Sequence, residues 1–210
     1  MRNEMLIGMT MLAASGTAAE AKQAPATTDA EPSRSRLFLD EHDLGPGKVT
    51  AAAVAEAHKK DLATQAKHGV HYHAYWLDEK QGKIYCLVEA PSAEAAAAVH
   101  REAHGLVAND VREVAGDSAD WTPAPGQKLF LDRHHFGPGK VTASEVAAAH
   151  RKDLAVQAKH HARFLNYWFD PASGTVSCLV EAPTAADAVA AHKEAHGLVP
   201  DAIDEVTEGR

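Results

Sequence analysis

Residues 71–91 read HYHAYWLDEKQGKIYCLVEAP, and residues 163–183 read RFLNYWFDPASGTVSCLVEAP. Each stretch predicts two strands around a tight turn. In the first stretch a strand runs from His71 to Asp78, Gly82 marks the turn, and a second strand runs from Ile84 to Glu89. In the second stretch Gly174 marks the turn. Pro91 and Ser92 then open an alanine-rich helix, which Gly105 closes. On strict alternation Tyr75 and Leu77 face one side of the first strand, and Tyr72 and Trp76 face the other. Both faces carry large apolar groups, so both need a cover. The helices of one such unit cover only one face.

The two stretches belong to a longer repeat. Residues 37–114 match 129–206 at a constant offset of 92, and 46 of the 78 pairs are identical. A period of this length marks a duplicated domain rather than a solenoid. Upstream of the hairpin, Arg36 to His42 alternates as a strand, with Leu37 and Leu39 on one face and Phe38, Asp40 and His42 on the other. Leu129, Leu131, Phe130, Asp132 and His134 repeat the pattern. After Gly45-Pro46-Gly47 a helix begins at Thr50 and runs to about Lys67; in the second copy Thr142 and Glu145 form a capping box, and the helix runs to about Lys159. A last strand covers Asp110 to Val114. The order βαββαβ predicts an α+β fold: two tandem ferredoxin-like domains, packed sheet to sheet as an intramolecular pseudo-dimer. The expected units are 36–115 and 128–207. A linker over 116–127 carries Pro123, Pro125 and Gly126.

Residues 1–35 lie outside the repeat. Arg2, the apolar stretch Met5 to Ala14, and Ala19 with Ala21 form a weak signal-peptide pattern, weakened further by Glu4. Export and a cytoplasmic location with a flexible leader both fit. No segment is apolar enough to span a membrane. The formal net charge is -8, which disfavours nucleic acid as a partner because no counterions are released on a phosphate backbone. Cys86 and Cys178, one per copy, read as buried thiols rather than as a disulfide framework. Gly45-Pro46-Gly47-Lys48-Val49 lacks the Ser or Thr that a phosphate loop needs after Lys. Neither copy carries a defensible nucleophile.

All 14 histidines fall within the two copies, seven in each. His100 and His104 stand at i and i+4 on the second helix, as do His192 and His196, which puts two imidazoles on one face. His58 and Asp61, and likewise His150 and Asp153, put an imidazole and a carboxylate one turn apart. His42 and His134 end the first strand, and Glu89 and Glu181 end the third. Imidazole and carboxylate together suit Ni²⁺, Zn²⁺, Cu²⁺ or Co²⁺. Each residue also has a plain reading. His104 complements a helix C-terminus, His58 can bond locally to Asp61, and Glu89 can face the next helix.

Taken together, Asp40-x-His42, Ala57-His58-x-x-Asp61-Leu62-Ala63, Tyr75-Trp76-x-Asp78, Cys86-Leu87-Val88-Glu89-Ala90-Pro91 and His100-Arg101-Glu102-Ala103-His104-Gly105 resemble a bacterial family of small nickel-binding proteins. The second copy carries the same runs around Asp132/His134, His150/Asp153, Trp168, Cys178 to Pro183 and His192 to Gly197. The resemblance implies a ferredoxin-like fold, dimerisation, and a divalent transition metal, nickel foremost. It implies His42, His58, Asp61, Glu89, His100 and His104 as candidate ligands, with His134, His150, Asp153, Glu181, His192 and His196 in the second copy. The expected function is a non-catalytic metal buffer or carrier. The rival readings are a small-molecule binder or enzyme with a pocket between the two sheets, and an interaction domain.

Overall fold

The computed structural model describes residues 35–116, 121, 124, 125 and 127–210. The leader, and Pro123 and Gly126 of the linker, lie outside the described residues. Copy 1 contains β1 (Arg36–Asp43), α1 (Ala51–Thr64), β2 (His71–Asp78), β3 (Lys83–Ala90), α2 (Ala93–Ala103), β4 (Asp110–Glu113) and the short β5 (Ala115–Gly116). Copy 2 contains β6 (Lys128–His135), α3 (Ala143–Val156), β7 (Arg163–Asp170), β8 (Thr175–Ala182), α4 (Ala185–Ala195) and β9 (Ala202–Gly209).

The caps start the helices where the sequence places them. The Thr50 hydroxyl accepts from the Ala53 amide, and Thr142 with Glu145 closes a capping box on α3. Ser92 and Thr184 cap α2 and α4. Helix α1 stops at Thr64, and one 3-10 turn over Gln65–His68 carries the chain into β2. At the hairpin, Gly82 holds φ +70°, and a Cβ there would lie 1.9 Å from the Gly45 carbonyl oxygen. Gly174 and Gly137 repeat this contact. Glycine lets the hairpin clamp the β1–α1 loop, whose Leu44 amide donates to the Gly82 carbonyl at 3.0 Å.

The strands form one antiparallel sheet in the order β4-β1-β3-β2-β9-β6-β8-β7-β5. Its two ends are one stretch of chain, since only Val114 separates β4 from β5. The fourth strand of each copy starts on its own sheet and finishes on the other. β4 pairs β1 and β5 then pairs β7. Likewise β9 pairs β6 as far as Val206, then pairs β2 through Thr207–Gly209. The hydrogen-bonded circuit therefore closes on itself, through two residue pairs between β5 and β7 and three between β2 and β9.

Two kinds of core follow from strand parity. One face of each half-sheet contributes to a central layer that includes Leu39, Trp76, Tyr85, Leu87, Leu131, Trp168 and Leu179. Trp76 and Trp168 meet there at 4.9 Å between ring centroids. The other faces pack under the helices, around Phe38, Val54, Leu77, Val88 and Val99 in copy 1 and around Phe130, Val146, Phe169 and Val180 in copy 2. Burying each of the larger side chains stabilises the fold by about 1.5–3 kcal/mol. These indoles and leucines pack in the layer between the half-sheets. The clefts described below lie on the opposite faces, under the helices.

One departure from strict alternation has consequences. The β2–β3 register slips between Tyr72 and Ala74, and the β7–β8 register slips between Phe164 and Asn166. The bulge turns Tyr72 away from Trp76 and onto the helix-covered face with Tyr75 and Leu77. Cys86 and Cys178 are buried and free, in the separate outer cores. Among the described residues, no helix is long and apolar enough to cross a membrane.

Candidate metal centre

Four elements of copy 1 aim side chains at one point beneath its helices. Alternation on β1 sends Asp40 and His42 to the helix-covered face along with Phe38. On β3 it sends Cys86 with Ile84 and Val88. On α1, Val54, His58 and Asp61 fall on the buried stripe. On α2, His100 is buried beside Ala96 and Val99, and His104 caps the helix C-terminus.

The His100 ring is the hub. Its Nε2–H donates to Asp40 Oδ2 at 3.0 Å, and its Nδ1–H donates to Asp61 Oδ1 at 3.0 Å. His104 Nε2 lies 3.1 Å from the same Asp61 oxygen and 3.2 Å from His100 Nδ1. His42 Nε2 lies 3.6 Å from Asp40 Oδ1, and its ring meets His100 edge-on at 4.8 Å. Copy 2 repeats the arrangement. His192 bridges Asp132 and Asp153 at 3.0 Å each, with His196 3.1 Å from Asp153 and His134 3.5 Å from Asp132. In each copy two sets of donor atoms lie within 4.8 Å of one another: Asp40, His42, Cys86 and His100; then Asp61, His100 and His104.

The electrostatics follow from burial. Burial alone would lower the pKa of His100, but its hydrogen bonds to Asp40 and Asp61 outweigh that and raise it to about 10. The same competition raises His192 to about 9. Burial would raise Asp132 and Asp153, but the bonds they accept from the imidazoles hold both below the ordinary carboxylate range. For His42, His58 and His150 burial wins and holds the pKa below the ordinary imidazole value. Burial pushes the Cys86 and Cys178 thiols well up.

Some polar atoms here lack a hydrogen bond. Asp40 Oδ1 and His58 Nε2 are buried without a hydrogen bond, as are Asp132 Oδ1 and His150 Nδ1. Such groups are rare and call for an explanation. Two buried carboxylates bond to one imidazole in each copy. A divalent cation would balance both carboxylates, and the unpartnered imidazole nitrogens of His58 and His150 beside the cluster are of the kind such an ion takes. The donor set therefore fits a transition metal.

Most of the predicted positions converge. His42, His58, Asp61, His100 and His104 all line one cleft of about 360 Å³. His134, His150, Asp153, His192 and His196 line its counterpart. Glu89 and Glu181 are not brought to either cluster. Glu89 stands three residues from Cys86, on the opposite face of β3, and pairs with His73 at 3.3 Å. Glu181 is held by Arg163 at 2.7 Å and by the Ala124 amide. Two further side chains join the cluster. Asp40 shares the His42 face, so its signal was present in the alternation. Tyr72, whose hydroxyl lies 3.1 Å from His100 Nε2, was hidden by the bulge. Copy 2 has Phe164 there, in edge contact with His192.

Fold and site define a class: a mixed α/β protein with a large antiparallel sheet and two repeated halves, each holding a buried imidazole–carboxylate cluster suited to a metal. The chain belongs to the SCO4226-like family. The family model described as nickel responsive protein SCO4226-like matches residues 38–114 and again 130–206. The crystal structure of SCO4226 from Streptomyces coelicolor A3(2) is similar at 39% identity, covering 37% of this chain and 93% of that one, with a TM-score of 0.35. A putative monooxygenase from Lactobacillus acidophilus NCFM aligns over 83% of this chain and 94% of its own at 7% identity and a TM-score of 0.48. The putative chlorite dismutase TA0507 aligns over 82% and 94% at 10% identity and a TM-score of 0.45. No curated protein matches the chain.

Proposed function

We propose that each copy binds one divalent transition-metal ion, nickel foremost, and that the chain acts as a non-catalytic metal buffer or carrier. The observation that carries this reading is the twice-built cluster in which one buried imidazolium serves two buried carboxylates. The ion takes the cleft side of that cluster. Asp61, His100 through Nδ1 and His104 through Nε2 hold it, with His42 and His58 beside them. Asp40 stays behind His100, accepting from Nε2–H and fixing the ring's orientation, as carboxylates behind metal-bound histidines commonly do. In copy 2, Asp153, His192, His196, His134 and His150 act with Asp132. When bound, the ion supplies the positive charge that the imidazolium supplies in its absence. The sets favour Ni²⁺, Cu²⁺, Zn²⁺ or Co²⁺ over Mg²⁺ or Ca²⁺, because imidazole nitrogen is a poor ligand for hard cations.

We also read the two copies as ferredoxin-like domains that stand in for two subunits, bounded at 36–115 and 128–207. The exchange of fourth strands supports that reading. Titration of tag-free, metal-free protein with Ni²⁺ tests the function, read by calorimetry and elemental analysis. The expected result is two ions per chain, falling to one with His104→Ala and to none when His196→Ala is added. The absence of saturable binding, or unchanged stoichiometry and affinity in the double variant, overturns it.

A further inference from the structure

The two copies keep the same donors but not the same space beside them. The copy 1 cleft holds about 360 Å³, within the range of small-molecule sites. Its counterpart holds about 40 Å³, room for no more than about three waters. Of the residues lining the copy 1 cleft, three differ from their counterparts in copy 2: Leu44 against Phe136, Ala53 against Glu145, and Ile84 against Val176. The valine is smaller than the isoleucine, so it cannot close a cavity. Glu145 is turned to the Thr142 amide and hydroxyl at the head of α3. Phe136 remains. Its ring lies parallel to His134 at 5.9 Å, across the space that Leu44 leaves open in copy 1.

The open cleft has two unlike ends. Its walls are apolar, made by Leu44, Val49, Val54, Ile84 and Leu106, and its inner end is the histidine cluster. His58, 5% exposed, lines it with an Nε2 that has no hydrogen-bond partner. A wholly apolar guest would leave that end unsatisfied, and a wholly polar one would waste the walls.

We propose that copy 1 is a ternary site, which takes a small, mainly apolar organic molecule whose single nitrogen or oxygen donor reaches the bound ion, while copy 2 takes the ion alone. The duplication has thus produced one ligand-accepting site and one closed site from the same donor set. The inference rests on the metal reading above, and the test separates the two.

The probe is 4-phenylimidazole, which joins one ring-nitrogen donor to an apolar ring. Its binding is measured by calorimetry on Ni²⁺-loaded and metal-free protein, with metal content checked by elemental analysis. One probe molecule is expected per wild-type chain, with at least tenfold tighter binding when Ni²⁺ is present. Leu44→Phe should abolish probe binding and leave two nickel ions per chain. Phe136→Leu should create a second probe site. Each substitution installs the residue its own sister copy already carries, so folding is not at stake. Two nickel ions with no probe bound, with two probes on the wild type, with equal affinity in metal-free protein, or with binding retained by Leu44→Phe would sink the ternary site and leave the metal reading standing. Failure to take up nickel would sink both.

Discussion

At the scale of single residues, the account turns on His100 and His192. Each is held protonated between two buried carboxylates, at about 10 and about 9. An ion that takes Nδ1 must displace a proton, so metal loading is coupled to pH. Below pH 9, Ni²⁺ affinity should rise about tenfold per pH unit in each copy. About two protons should leave per chain at pH 7.5, which calorimetry in buffers of different ionisation enthalpy measures. No net proton release would place the ion away from these rings. The same shifts set the stability of the metal-free protein. A histidine whose pKa is raised on folding contributes stability that is fully present below about pH 6.5 and is lost as pH rises through the folded value. Raised Cys86 and Cys178 act in the same direction, so the urea midpoint of metal-free protein should fall between pH 7 and pH 10. A rise would contradict the bridged imidazoliums. Glu89 makes a negative control: because it points away from the cluster, Glu89→Gln should leave nickel stoichiometry and affinity unchanged, and a loss of either would restore it as a ligand.

At the scale of elements, the end of α2 reports on the site. The Leu106 amide donates to His104 Nδ1 at 3.1 Å, and the Leu198 amide donates to His196 Nδ1 at 3.2 Å. For Nε2 to face an ion, the ring proton must sit on Nδ1, and that bond is given up. Hydrogen exchange at Leu106 and Leu198 should therefore speed up on nickel loading, while the strands beneath the cluster slow down. Slower exchange at both amides would mean that His104 and His196 are not ligands. The elements themselves were largely readable in the sequence, because period-two strands, Thr and Ser caps, and turn glycines point to the same βαββαβ order. The bulge in β2 was not readable. It depends on the register against β3, and no local signal in Tyr72-His73-Ala74 announces it. It misplaced one tyrosine and concealed its contact with His100. Glu89 lies on the face of β3 opposite Cys86, beside His73, as strand parity requires. The Leu44/Phe136 difference was plain in the sequence. Its meaning was not, since the size of a cavity is a property of side chains from several elements.

At the scale of the whole molecule, the two halves meet through residues that differ between them. Glu41 and Arg133 occupy the same position of the repeat, 92 residues apart, and pair across the interface at 3.4 Å. Arg133 also meets Asp204 at 2.7 Å and lies over the Tyr85 ring at 5.1 Å. Two identical copies would set like charges against each other here, so the pair favours copy 1 on copy 2 over either on itself. Glu41→Arg should cost about 2–4 kcal/mol in urea denaturation, since it sets a third guanidinium against Arg112 and Arg133, both of which Glu41 pairs in a largely buried site. Adding Arg133→Glu should recover part of the loss, because Arg112 and Asp204 still suit the original signs. Strictly additive losses in that cycle would show that the two side chains are not coupled.

The most direct test is an anomalous difference map at the nickel edge from crystals of nickel-loaded, tag-free protein. The account predicts two peaks per chain, one between α1 and α2 against Asp61, His100 and His104, the other between α3 and α4 against Asp153, His192 and His196. Peaks confined to surface histidines such as His71 and His135, or no peaks in protein shown to be folded, would contradict it.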